Sequence, residues 1–353
     1  MDKVARAIDD IRRKWVPDDR LGVFQVCVAG DAGARAGDVG ARHAVPLLTG
    51  VTSSRAAQEA LRRFATDAGI AEEVRLLPDA TVGQDAAAVV TAALAPLLRD
   101  PTVSAPRVSE ALHGECLEIL ERHDDWLRVR APDEYVAWLH AGYVATGSAE
   151  WARDWAERAT ARSLAAEIQT ADGRRRLPTG ARLALRRVRK EGGAGAGAVE
   201  LANGEAGAVA GGAVRLEAEL RAEARHLALP ELALRWYAGA PYLWGGRTEW
   251  GIDCSGLTQA VYAARGIRLL RDSDLQIGQG KDVPLSGEGA KYEAGDLLFF
   301  VERGRVSHVA LWAGAGRIVH SALSRGGVGS DDLFGNEPRM RRLAGSLVGV
   351  RRL

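Results

Sequence analysis

Asp253-Cys254-Ser255-Gly256-Leu257-Thr258-Gln259-Ala260-Val261-Tyr262-Ala263-Ala264-Arg265-Gly266 is the stretch that decides the reading of this chain. Leu257, Val261 and Ala264 recur at helical spacing, and Gly266 stands where a helix would end. Cys254 therefore falls at the first turn of a helix or one residue before it. There the free amide N–H groups and the positive end of the helix dipole favour the thiolate, the form of cysteine that attacks carbonyls, and are expected to lower its pKa. A nearby imidazole can take the thiol proton and later protonate a leaving amine, while another polar group fixes its tautomer. His308 and His320 are the candidates for those roles.

Working outward, Pro241-Tyr242-Leu243-Trp244-Gly245-Gly246 has little aliphatic character and reads as a shaped loop leading into the cysteine. Downstream, His308-Val309-Ala310-Leu311-Trp312 and Gly316-Arg317-Ile318-Val319-His320 read as two strands joined at Ala313-Gly314-Ala315. With that loop, Ala310 faces Ile318 and His308 faces His320 on one side of the sheet; a one-residue slip would separate the imidazoles. A cysteine standing alone before an amphipathic helix is usually a small buried hydrophobe. It is the joint pattern of loop, Asp-Cys-Ser-Gly and two histidines that points to a nucleophile.

Residues from about 230 to 350 resemble the NlpC-type cysteine peptidases, papain-like enzymes that cleave bacterial cell-wall peptides. The resemblance is carried by Tyr242-Leu243-Trp244-Gly245-Gly246, Asp253-Cys254-Ser255-Gly256-Leu257, Arg271-Asp272-Ser273 with Gln276, Gly295-Asp296-Leu297-Leu298-Phe299-Phe300, His308-Val309-Ala310 and His320-Ser321. It implies Cys254 as nucleophile, His308 as base, His320 as the third polar residue and Tyr242 beside the cysteine. The implied fold class is α+β, a papain-like domain with the cysteine helix packed on an antiparallel sheet. Plainer roles exist for several of these residues. Asp253 can cap the helix, Ser273 can be a turn residue and Arg271 a solvated charge. Asp296, after Gly295, reads as a turn or strand-entry residue.

A chain of 353 residues is too long for one such domain, and its 47% hydrophobic content suffices for ordinary cores. Lys+Arg of 47 against Asp+Glu of 46 gives a net charge of +1, which leaves no bulk signature for nucleic acid or an anionic membrane. Cys27, Cys116 and Cys254 are too scattered for a disulfide framework or a zinc site. The N-terminus lacks the apolar core of a secretory signal, so a cytoplasmic location is expected.

Residues 1–104 read as a mixed α/β region without a chemical motif. Its expected strands are Val23–Ala29 and Glu73–Leu77, and its expected helices Ser54–Ala68 and Asp85–Leu98, with His43 in a loop. The apolar run from Ala86 to Leu98 is too short to span a bilayer. Between 105 and 147, short strands around Cys116, Trp126 and Trp138 argue for a small barrel that resembles a bacterial SH3 domain, both tryptophans being expected in its core. A helical linker with Trp151 and Trp155 fills 148–164. Residues 165–218 repeat the strand-turn rhythm as a second, diverged SH3-like barrel with a glycine-rich turn at Gly192 to Gly197, and the NlpC-type domain takes 225–353.

Together these features resemble the YkfC-like branch of the family, which recycles cell-wall peptides. The resemblance implies hydrolysis of the γ-D-glutamyl bond to L-Lys or meso-diaminopimelate in free murein peptides with an N-terminal L-Ala. In that branch the first SH3-like domain closes one end of the site, and a free amine needs carboxylates and a hydroxyl there. By resemblance, Asp253 and Tyr242 together with Glu110 and Tyr135 would bind the amine, with Glu115 a near alternative to Glu110. Ser255 and Ser273 would hold the D-Glu carboxylate. No metal, organic cofactor or obligatory protein partner is expected. The competing readings are an endopeptidase on intact wall, which needs an open groove, and a wall-binding protein with an inactive domain.

Overall fold

The computed structural model describes residues 2–29, 46–186, 198–285 and 291–353. His43 and the turn at Gly192 to Gly197 lie outside the described residues. The N-terminal region is a three-stranded sheet in the order Phe24–Ala29, Leu47–Thr52, Ala71–Leu76. Its last two strands run parallel because the helix Arg55–Ala68 carries the chain back across the sheet. Ser54 caps that helix by accepting from the Ala57 amide, and Gly69 ends it in the left-handed conformation at φ 66°.

The expected helix over Asp85–Leu98 is instead two strands, Ala87–Val90 and Leu94–Leu98. They belong to a seven-stranded barrel sheet that runs on through residue 147, so this sheet begins well before residue 105. The physical reason is visible in the packing. Ala88 and Val90 enter the core of the barrel while Ala87 and Val89 pack on the other side against Trp155 of the linker helix. A strand buried on both faces shows no alternation in sequence, and its apolar run cannot be told from a buried helix by periodicity. Trp138 is buried, yet its ring lies under the Arg128 guanidinium at 4.5 Å rather than inside the barrel, and Trp126 packs edge-on against His140.

The linker helix Ala149–Arg158 leads into a second barrel whose strands close on themselves, Ala161–Thr170 pairing with both Arg182–Arg186 and Ala206–Leu216. Its core is Ala166, Ile168, Leu177, Leu183, Val199 and Leu201.

The C-terminal domain is an antiparallel sheet in the order Lys281–Asp282, Leu347–Arg352, Leu297–Glu302, Arg305–Gly314, Arg317–Ala322, Gly327–Asp332. Alternation sorts its side chains onto two faces. Leu297, Phe299, Val309, Leu311 and Val319 pack under the helix Cys254–Ala264, and Leu298, Phe300, Ala310, Trp312 and Ile318 pack against Met340 on the far side. Among the described residues no helix is long and apolar enough to cross a membrane.

Candidate active site

Cys254 occupies the first turn of its helix, with Asp253 as the N-cap. Asp253 Oδ1 accepts from the Gly256 amide at 2.7 Å, and its Oδ2 accepts from the Gly245 amide at 2.8 Å. One carboxylate thus fixes both the helix start and the loop Tyr242–Gly246. The glycines of the two motifs are explained by the same approach. A Cβ on Gly256 would lie 2.3 Å from the Gly246 carbonyl oxygen, and one on Gly246 would lie 2.3 Å from that of Gly251. Only glycines let the loop backbone lie this close to the helix.

Arg271, a motif residue whose plainer reading was a solvated charge, is fully buried and reaches both oxygens of Asp253, at 3.0 and 2.7 Å. It also donates to Ser255 Oγ at 2.9 Å and, from Nε, to Ser109 Oγ of the first barrel at 3.0 Å. Both Asp253 oxygens are therefore engaged within the protein.

The histidine hairpin is shifted from its expected register. Leu311 faces Val319 and Trp312 faces Ile318, two residues from the pairing of Ala310 with Ile318. The cause is the turn: Ala315 and Gly316, with φ of 48° and 78°, make a tight two-residue connection, preceded by an irregularity between Trp312 and Gly314. A two-residue shift keeps side chains on their face. The imidazoles are diagonal neighbours rather than directly opposed, with His308 Nε2 2.7 Å from His320 Nδ1. Behind His320, Asp331 Oδ2 lies 3.0 Å from Nε2. Asp331 carried no motif in the sequence; it sits on the next strand, where it pairs with Ile318 and so lies diagonal to His320.

The electrostatics differ from the expectation at the helix N-terminus. Burial, seconded by the Asp253 charge, pushes the Cys254 thiol up to about 12, although the Val309 and Ser255 backbone amides and Arg271 pull the other way. Burial and the neighbouring His320 push His308 down to about 3. Desolvation outweighs the helix terminus, so each group taken singly rests neutral.

Cys254 opens into a cavity of about 1380 Å³ between the domains. Of the substrate-binding candidates, Tyr242, Asp253, Ser255, Ser273 and Tyr135 line it. Glu110 does not: it is 1% exposed, and its oxygens accept from Arg107 Nη1 at 2.5 Å and the Arg247 amide at 2.9 Å. Glu115 is likewise committed to the Arg247 guanidinium, at 3.0 and 3.1 Å. Both were attractive in sequence as carboxylates on the right barrel, but Arg247 takes them.

The cavity carboxylate that sequence reasoning passed over is Asp272. Its Oδ2 accepts from Tyr135 Oη at 3.1 Å and from Arg20 Nη1 at 2.8 Å. The Arg20 guanidinium also holds Asp18 and Asp274, and its carbonyl accepts from the Val136 amide at 2.6 Å. The N-terminal region, which showed no motif, thus supplies a cavity wall that includes Arg20, Phe24 and Gln25. Asp296 keeps the structural role expected of it, bound by Arg352 at 2.8 and 2.7 Å. Among the described residues no group of three or more His, Cys, Asp or Glu could hold a metal ion.

A loop-capped cysteine helix on an antiparallel sheet with paired histidines defines a papain-like cysteine-peptidase domain. Residues 239–344 match the NlpC/P60 family model, and residues 97–142 match the bacterial dipeptidyl-peptidase SH3 domain. The chain therefore carries an NlpC/P60 domain behind an SH3 domain of that type. It is similar to the γ-D-glutamyl-L-lysine dipeptidyl-peptidase of Bacillus subtilis, 42% identical over 89 residues, which are 24% of this chain and 29% of that protein. The protein of the same name from Bacillus cereus is 38% identical over 90 residues, covering 25% of this chain and 26% of its own length. A probable endopeptidase of Mycobacterium tuberculosis is 38% identical over 84 residues, 24% of this chain and 20% of that one. The matched segments thus span less than a third of these relatives. An NlpC/P60 family protein from Bacillus cereus shares the fold over 75% of this chain and 99% of its own, with a TM-score of 0.59 at 20% identity.

Proposed function

We propose that this protein is a cysteine peptidase that hydrolyses the γ-D-glutamyl bond to L-Lys or meso-diaminopimelate in free murein peptides bearing an N-terminal L-Ala. The observation that carries this reading is the pairing of Tyr135 with Asp272 in the cavity onto which Cys254 opens. An exopeptidase has to end its cleft and receive a charged amine there, and a carboxylate beside a phenol, both partly desolvated, suits an ammonium group. Asp272 takes the part that was expected of Glu110: Arg20 and Tyr135 both engage its Oδ2, so the amine would be received at Oδ1. Asp253, held by Arg271, acts on the site by fixing the helix start. The Ser255 hydroxyl accepts from Arg271 and donates to Asp253 Oδ1, which leaves the Ser273 hydroxyl for the D-Glu carboxylate. The curated relatives named γ-D-glutamyl-L-lysine dipeptidyl-peptidase support the bond cleaved.

In the cycle, the Cys254 proton passes to His308 as sulfur attacks the γ-carbonyl. The developing oxyanion is met by the Cys254 backbone N–H at the helix terminus, and His308-H⁺ protonates the departing amine. Water, deprotonated by His308, then releases L-Ala-γ-D-Glu and regenerates the thiol. The test is incubation with L-Ala-γ-D-Glu-meso-diaminopimelate, its L-Lys counterpart and their N-acetylated forms, beside Cys254→Ala, with products followed by mass spectrometry. Cleavage of free-amine peptides alone, lost in the variant, is expected. Equal cleavage of acetylated peptides would replace this reading with an open endopeptidase groove, and cleavage of none would point to another acyl substrate or a binding role.

A further inference from the structure

The His320 ring is held at both nitrogens, by His308 on one side and Asp331 on the other. Asp331 is 8% exposed; its Oδ1 is ion-paired with Arg325, and its Oδ2 also receives Arg339 Nη2 at 3.2 Å. Glu337, the other charge in this group, pairs with Arg339. The hydrogen bond from His320, with the two guanidinium groups behind it, holds the Asp331 carboxyl below its ordinary value. A carboxylate only accepts, so His320 Nε2 has to carry a proton. In the neutral ring, Nδ1 is then an acceptor, and the 2.7 Å contact requires a proton on His308 Nε2. The lone pair of His308 is left on Nδ1.

We infer that Asp331 is a positioning residue that sets the tautomers of His320 and, through it, of His308, leaving His308 Nδ1 as the nitrogen that takes the Cys254 proton. The inference rests on the reading of Cys254 and His308 as nucleophile and base. Arg325 and Arg339 keep Asp331 ionised and in place, so the chain of contacts runs from the guanidinium pair to the base. An asparagine at 331 can turn its amide toward His320 Nε2, which makes that nitrogen the acceptor and moves the proton to Nδ1. His308 Nε2 then has to accept, and its proton moves to Nδ1, where it occupies the position the thiol proton needs. The same inversion in a Ser-His-Asp triad lowers kcat by about 10⁴-fold with the geometry kept.

The test uses the full chain with ¹⁵N-labelled histidine, as wild type and as Asp331→Asn. The wild type is expected to show His308 and His320 protonated at Nε2. In D331N both should move to Nδ1–H, and kcat on the free tripeptide should fall by about 10²–10⁴-fold, with KM changed only a few-fold. His308 remaining the Nε2–H tautomer in D331N, or kcat unchanged, would overturn the inference. If D331N does not fold, Asp331→Ala serves as the second variant: mixed His320 tautomers support the inference, and retention of pure Nε2–H refutes it. A wild type that cleaves no peptide counts against the peptidase reading alone, because the tautomer shifts still decide the role of Asp331.

Discussion

The two barrels meet the NlpC/P60 domain differently. The first is fastened to the surroundings of Cys254. Ser109 accepts from Arg271, Asp133 Oδ2 accepts from Gln259 of the cysteine helix at 2.9 Å, and Tyr135 donates to Asp272. The second barrel meets that domain where the Thr179 amide donates to both oxygens of Glu249, at 3.1 and 3.0 Å, and among its described residues none lines the cavity. It braces the first barrel instead, as where the Ala202 amide donates to His113 Nε2 at 3.0 Å. The difference teaches that a barrel fold says nothing of its task; the task is set by which polar groups its strands present at the seam.

Breaking the first seam at its centre should have the largest effect. Arg271→Ala leaves the buried Asp253 carboxylate without its cation and removes the link to Ser109. A loss of about 3–5 kcal/mol is expected in denaturant unfolding, because an uncompensated buried charge remains. Arg271→Lys should recover little, since an ammonium cannot reproduce the two-pronged contact. Stability within 1 kcal/mol of wild type (~1 kcal/mol being the range of an exposed pair) would show that this seam does not differ in kind from the other. Next in size comes Asp272→Asn. It should reduce kcat/KM on the free-amine tripeptide by about 10–100-fold, as expected for a lost charge-assisted contact, while leaving any residual turnover of the N-acetylated peptide unchanged. An equal drop on both substrates would remove the amine from Asp272.

The sequence made the local part of this site legible. Asp253, Cys254 and Gly266 announce a capped helix because caps are written within a few residues, and the two histidines share a face because strand alternation survives a two-residue shift of register. The residues that were missed depend on what meets across long separations. Arg271 looks like a surface charge until Asp253 and Ser109 are placed around it. Asp331 becomes visible only when the strand Gly327–Asp332 is set against Arg317–Ala322. Glu110 and Glu115 were lost to Arg247, and Asp272 was passed over because Tyr135 and Arg20 reach it from 137 and 252 residues away. The helix expected over Ala86–Leu98 failed for a different reason: an apolar run buried on both faces has no period to read.

The smallest effects separate the barrels most sharply, because they remove single hydrogen bonds of similar kind. Tyr135→Phe deletes the donor to Asp272 while keeping the ring, 4% exposed, packed in the first barrel. The loss is expected to be about 0.5–1.5 kcal/mol, read as a rise of up to roughly tenfold in KM for the free-amine peptide. Glu249→Gln weakens the contact to Thr179 by a comparable amount, and about 1 kcal/mol should appear in thermal melting with kcat and KM unchanged. The two variants lose similar energy and differ only in where it is lost. If Glu249→Gln raised KM as much as Tyr135→Phe, the second barrel would be acting on the cavity through the first, and the division of labour between them would fail.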